Sequence, residues 1–188
     1  MSDEEGMAIG PWRRLSSDLM YENPWIQVFH EQVLTPAGTP GIYGRVHFRN
    51  QAIAIVAIDD EDHIYLVRQF RYARGHYSLE IPKGGGARDV DPLVIAQREL
   101  REETGFSATH WQHLLDVQIS NSVTDQSGQV FLAQGLVAGE QSLDDSEDIE
   151  VLRVPFREAI AMVCDGRITD DFSVMSLLRV ALLRGIQS

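Results

Sequence analysis

The run Arg98-Glu-Leu-Arg-Glu-Glu-Thr-Gly-Phe106 holds the side chains best suited to chemistry. On a helix, Glu99, Glu102 and Glu103 are separated by three and four positions and project from one face. Like charges spaced this way destabilise a helix by roughly 0.2–0.5 kcal/mol per pair. A chain that keeps all three together invites a divalent cation. Ligands that offer only oxygen suit magnesium, with manganese as a substitute, better than zinc. Arg98 and Arg101 are placed to neutralise part of the cluster and orient it. The same run also describes a solvated charged helix face, and the residues before it decide between the two.

Those residues form a glycine-rich stretch, Lys83 to Asp91, in which Gly84-Gly-Gly86 would let the backbone approach a bound group closely and bend sharply. An ordinary flexible turn has the same composition. Arg71 is the candidate for gripping a substrate phosphate, because a guanidinium matches phosphate oxygens in pairs; a surface ion pair is the other reading. Arg68 lies three positions away, on the opposite face of a strand. None of the six histidines falls in a metal-ligand spacing.

Taken together, these segments resemble the Nudix box: Gly, five residues, Glu, seven residues, then Arg-Glu-hydrophobic-any-Glu-Glu-any-Gly-hydrophobic. Gly84, Arg98, Glu99, Leu100, Glu102, Glu103, Gly105 and Phe106 all match. Val90 stands where the box has its first Glu, with Asp89 and Asp91 beside it as possible substitutes. Leu66-Val-Arg-Gln-Phe-Arg-Tyr72, Leu79-Glu-Ile-Pro-Lys-Gly84, Asp148-Ile-Glu-Val151 and Gly166-Arg-Ile-Thr-Asp170 are similar to the branch that hydrolyses ADP-ribose and nucleoside diphosphate sugars.

The resemblance implies a magnesium-dependent pyrophosphatase that splits such a compound into a nucleoside monophosphate and a sugar phosphate. It makes Glu99 and Glu103 the principal metal ligands, with Glu102 sharing and the backbone carbonyl of Lys83 completing the set. Arg98 and Glu102 join Glu147, the implied general base, as catalytic candidates. Gly84 and Gly85 would come close to the substrate together with Arg71. Trp25 would stack on the base, although the core of its own hairpin is an alternative place for it. Two other readings stay open. One is a nucleotide-binding sensor with weak catalysis, suggested by Val90. The other is a hydrolase of dinucleoside polyphosphates or nucleoside triphosphates, suggested by the Lys of Ile81-Pro-Lys-Gly84.

The elements that must position these residues follow from periodicity and punctuation. Trp25–Leu34 and Ile42–Phe48 alternate as strands around the Pro- and Gly-rich turn 35–41. Ala52–Ile58 and Ile64–Phe70 read as buried, partnered strands, followed by a short strand at Tyr77–Ile81. Pro92–Thr104 reads as a helix, with Pro92 in the first turn and Gly105 just past the end. Trp111–Ile119, Gln129–Val137 and Glu150–Val154 are expected strands; Phe156–Cys164 and Phe172–Arg184 are expected closing helices. The expected fold is an α/β/α sandwich around a mixed sheet, the Nudix fold, over residues 51–188. Residues 1–50 would supply a tail and an antiparallel hairpin used for dimerisation and base binding. A homodimer follows from the family likeness and from the edge such a hairpin would expose.

Composition narrows the partners. The 188 residues carry 16 Lys and Arg against 28 Asp and Glu, a formal net charge of -12. Such a surface repels nucleic acid, so the expected partner is a small nucleoside diphosphate derivative whose charge is offset locally by cations or metal. No apolar run approaches the roughly 20 residues of a membrane span, and Met1–Gly10 lacks a signal pattern. Residues 2–6 read as a frayed tail. The single cysteine, Cys164, rules out an intrachain disulfide, fits the cytoplasm and reads as buried helix packing.

Overall fold

A computed structural model describes residues 6–143 and 148–186. The chain forms two compact units. One runs up to Gln51 and also takes in Gln118–Ser127; the other comprises Ala52–Val117 and the chain from Gly128 onward.

The first unit is richer than a hairpin. β1 (Met7–Ile9), β2 (Trp12–Glu22), β3 (Ile26–Leu34) and β4 (Pro40–Phe48) make a four-stranded antiparallel sheet in sequence order. Sequence reading missed β1 and β2. The burial pattern of β2 explains this: almost every residue is exposed, so no apolar alternation marks the strand. Glu31 is buried on this sheet, where Arg14, Arg45 and Ser17 all donate to one of its carboxylate oxygens. The expected tail residues 2–5 lie outside the described residues.

The second unit is built on two sheets. β5 (Asn50–Ala57) pairs in parallel with β10 (Ser127–Ala138), in a mixed sheet completed by β8 (Lys83–Ala87) and β9 (Phe106–Gln118). β6 (His63–Arg71), β7 (His76–Glu80) and β11 (Glu150–Pro155) form an antiparallel sheet ordered β11-β6-β7. The expectation that β5 and β6 partner each other is therefore corrected: a single bridge, Ile58 to Ile64, joins them. Every residue from Ile53 to Ala57 is fully buried, so β5 carries no polar face that would set its register against one particular neighbour.

α1 (Pro92–Thr104) lays Ile95, Ala96 and Leu100 on Ile53, Ile55, Phe131 and Ala133. Asp91 caps its start by accepting from the Leu93 amide. Gly105 ends it in the left-handed conformation, φ 77°, which glycine adopts without strain. α2 (Phe156–Cys164) and α3 (Asp171–Leu183) follow. α3 buries Phe172, Ser173, Ser176, Leu177, Val180 and Ala181, and Gly128 of β10 lies directly against the Phe172 ring. Cys164 is exposed, not packed inside as expected. No described helix is long and apolar enough to cross a membrane.

Candidate active site

The site is built where α1 meets β8. The glycine-rich stretch 83–87 is a strand, not the loop its composition suggested. A Cβ on Gly86 would collide with Ile95, and one on Gly84 would collide with the Glu99 carboxylate. One position further along, the Lys83 amide donates to Glu103 at 2.9 Å. Two residues of strand advance about 6.7 Å and four residues of helix about 6 Å. The pairs Gly86–Ile95 and Gly84–Glu99 therefore step along β8 and α1 in opposite directions and in register, and Lys83–Glu103 continues in the same sense with one strand residue against a helix turn. Glycine is used because the helix lies too close to the strand for side chains between them.

That closeness buries two of the three carboxylates. Glu99 and Glu103 are 6% and 2% exposed, on the flank of the apolar stripe that faces the core. Glu102 remains at the surface. Arg98 gathers the group: it donates to Glu99 and to Glu102 at 2.6 Å each, and to the Gly85 carbonyl at 2.9 Å. Burial resists the charge on Arg98, but Glu99 and Glu102 outweigh it and raise its pKa. Among the described residues, no three His, Cys, Asp or Glu side chains already converge as they do around an ion. The donors still fit a hard divalent cation. Two carboxylates are buried at a helix–strand junction whose strand carries three successive glycines, and every donor is oxygen.

Beyond Lys83 lies a second group of charges, of which the sequence reading singled out Arg71 but not its partners Glu80 and Asp170. Arg71 donates through two nitrogens to both oxygens of Glu80, the first contact 2.9 Å long. The Lys83 ammonium pairs with Glu80 at 3.1 Å and also with Asp170. Asp170 caps α3 by accepting from both the Ser173 amide and its hydroxyl, and that hydroxyl in turn accepts from the Ile81 amide. Burial would raise the pKa of Glu80, which is 2% exposed, but Arg71 and Lys83 more than offset this and push it down to about 2. Arg71 is raised in turn: burial opposes its charge, while Glu80, Asp170 and Glu103 favour it. Arg71 is thus held in an ion pair with Glu80, the second of its two readings from sequence. Lys83 is the only lysine in the chain. Two signals for this group were present in the sequence: a lone acid, Glu80, inside a short apolar strand, and Asp170 at the start of a helix.

The remaining candidates are placed as follows. Arg68 points away from this group, pairing with Glu150 and lying over the Tyr77 ring. Asp91 spends one carboxylate oxygen on the helix cap, and Val90 is exposed. Trp25 is 65% exposed on the first unit, so it is not the hairpin core residue that its alternative reading made it. Trp111 sits at the edge of the core with its indole nitrogen donating to the Ala108 carbonyl. Glu147 lies outside the described residues.

Residues 48–172 match the NUDIX domain, and residues 12–46 match the nucleoside diphosphate sugar hydrolase N-terminal domain. The chain belongs to the Nudix family. Its likeness to an ADP-ribose pyrophosphatase of Mycobacterium tuberculosis is 34% identity over 93% of this chain and 85% of that one. With a GDP-mannose pyrophosphatase of Pectobacterium atrosepticum it is 36% over 65% and 67%. The crystal structure of an ADP compounds hydrolase superposes with a TM-score of 0.84 at 22% identity, covering 97% of this chain and 100% of the other, and bears on the fold. The protein is thus a Nudix pyrophosphatase of the ADP-ribose and nucleoside diphosphate sugar branch, on the α/β fold expected from its sequence.

Proposed function

We propose that this Nudix enzyme hydrolyses the pyrophosphate of ADP-ribose or a related nucleoside diphosphate sugar in a magnesium-dependent reaction. The products would be a nucleoside monophosphate and a sugar phosphate. The observation that carries this reading is the pair of buried carboxylates, Glu99 and Glu103, packed against the strand that carries Gly84, Gly85 and Gly86. Buried carboxylates are costly unless a cation offsets them. In this place a cation would also offset the charge of the substrate.

Glu99 and Glu103, with Glu102 sharing and the Lys83 carbonyl completing the set, would hold the ion. When bound, magnesium would polarise phosphoryl oxygens and neutralise the leaving phosphate. Arg98 fixes the rotamers of Glu99 and Glu102. Arg71, oriented by Glu80, faces a phosphate. Gly84 and Gly85 leave room for the substrate to approach. In the reaction, water oxygen bonds to one phosphorus, the bridging P–O bond breaks, and the water proton passes to a carboxylate, for which Glu147 is our candidate. Trp25 offers an exposed indole face to a base. The enzyme would work in the cytoplasm as a homodimer.

The test is incubation with magnesium and a panel of nucleoside diphosphate derivatives, dinucleoside polyphosphates and nucleoside triphosphates, with products identified by mass. We expect nucleoside monophosphate and sugar phosphate from the first group. Turnover confined to the other two would move the substrate assignment. Glu103→Gln should lower kcat about a hundredfold or more; full activity in that variant would remove the metal assignment. The sensor reading is favoured by Val90 and by the commitment of Asp91 to the helix cap. It expects binding in a calorimeter with no product at saturating magnesium.

A further inference from the structure

A pocket of about 440 Å³ opens beside the Arg71–Glu80–Lys83–Asp170 group. This volume is within the range of sites for small organic ligands. Its walls come from the end of β6, the following turn, β7 and the start of α3, all within the second unit. We infer that this pocket receives the sugar-phosphate half of the substrate, and that Arg74 and Thr169 recognise the sugar there. The inference rests on the pyrophosphatase reading above and adds to it the side on which the non-nucleotide half lies.

Three observations carry it. The first is charge. Glu80 and Asp170 are matched by Arg71 and Lys83, so in a chain of net charge -12 the pocket floor is close to neutral and admits an anion. The second is an unspent donor. Arg74 lines the pocket from a tight turn in which its amide donates to the Arg71 carbonyl, and its guanidinium makes no ion pair among the described residues. A guanidinium has five N–H donors. The third is the chemistry of the wall. Ser78 and Thr169 contribute hydroxyls and Asp171 a carboxylate, while the two rings of the lining, Tyr72 and His76, are both exposed. Interleaved donors and acceptors match the vicinal hydroxyls of a sugar. A purine enclosed here would need a flat apolar wall, and neither ring of the lining is enclosed. The pocket adjoins the carboxylate helix through Lys83, whose amide holds Glu103 while its ammonium holds the pocket acids. A pyrophosphate at the carboxylates would therefore direct one of its substituents into this space.

The experiment compares ADP-ribose with the methyl ester of ADP, which keeps the pyrophosphate and the nucleoside but has no sugar beyond. In Arg74→Ala the ratio of kcat/KM for ADP-ribose to that for the methyl ester should fall about tenfold, and in Thr169→Val about threefold. A ratio within twofold of wild type in both variants overturns the inference. Direct binding separates a failure of the pocket from a failure of the enzymatic reading. Ribose 5-phosphate, titrated calorimetrically into the unmodified protein, should bind, and Arg74→Ala should weaken it about tenfold. Binding without turnover of either substrate keeps the pocket and removes the hydrolase. Turnover with an unchanged ratio and no difference in ribose 5-phosphate binding removes the pocket.

Discussion

Lys83 links two tasks through different atoms. Its backbone belongs to the carboxylate helix, through Glu103, and its ammonium belongs to the pocket, through Glu80 and Asp170. If the ammonium acts by balancing charge, its loss can be repaired by removing a charge from the other side. Lys83→Met leaves the pocket acids in excess by one, and KM for the substrate should rise about tenfold, more than kcat falls. Asp170→Asn removes one acid while keeping a good helix cap, since Asn caps about as well as Asp. The double variant should therefore recover most of the lost affinity. A double variant as poor as the product of the two singles would show that Lys83 acts by shape and not by charge.

At the scale of elements, the apposition of β8 and α1 decides what each glycine is for. At Gly84 a methyl group would meet the Glu99 carboxylate, the movable end of a side chain; at Gly86 it would meet Ile95, which is packed into the core. The two substitutions should therefore have different consequences. Gly84→Ala should unfold at nearly the wild-type temperature but lose activity about a hundredfold, because Glu99 must swing away. Gly86→Ala should lose about 1–3 kcal/mol of stability, because the core must shift. Thermal melts and initial rates on both variants would check this, and equal loss of stability in the two would contradict it.

This apposition also shows what the sequence could reveal. α1 was legible to the residue, since a first-turn Pro, an apolar stripe and a terminal Gly agree over Pro92–Gly105, while Asp91, read as a substitute for the box Glu, is found as the helix cap. The carboxylates came with it, because they lie on one short helix. β8 was not legible, because three successive glycines describe a turn as well as a strand, and only the helix lying across them requires them. The pairing of Lys83 with Asp170 spans 87 positions and joins elements with no common pattern. The expected β5–β6 partnership failed for a related reason, as β5, buried on both faces from Ile53 to Ala57, carries no alternation to fix which neighbour it pairs with.

At the scale of the whole molecule, Glu80 links stability to pH. Its folded-state pKa is about 2, against an ordinary value of 4.5, so the unfolded chain binds its proton more readily. This contribution is fully present above about pH 4.5 and is lost as pH falls toward 2. The difference corresponds to about 3 kcal/mol. Wild-type melting temperature should fall steeply from pH 5 to pH 3. Glu80→Gln should melt lower at neutral pH and show a shallower fall across the same window. A parallel fall in both proteins would mean that other carboxylates carry the acid sensitivity.

The first unit leaves Leu15, Leu19, Met20, Tyr21, Trp25 and Ile42 exposed on a four-stranded sheet. Single apolar residues at a surface need no explanation, but this many on one small sheet mark a surface that something covers. The N-terminal likeness to the nucleoside diphosphate sugar hydrolases falls on the same strands, and a second copy of this chain is the occupant we favour. Light scattering should give twice the chain mass. Leu19→Glu together with Ile42→Glu should halve it, because charges placed on a closing interface are desolvated without partners. A wild-type chain that scatters as a monomer at micromolar concentration would leave the sheet to another partner and would leave the assignments in the second unit untouched.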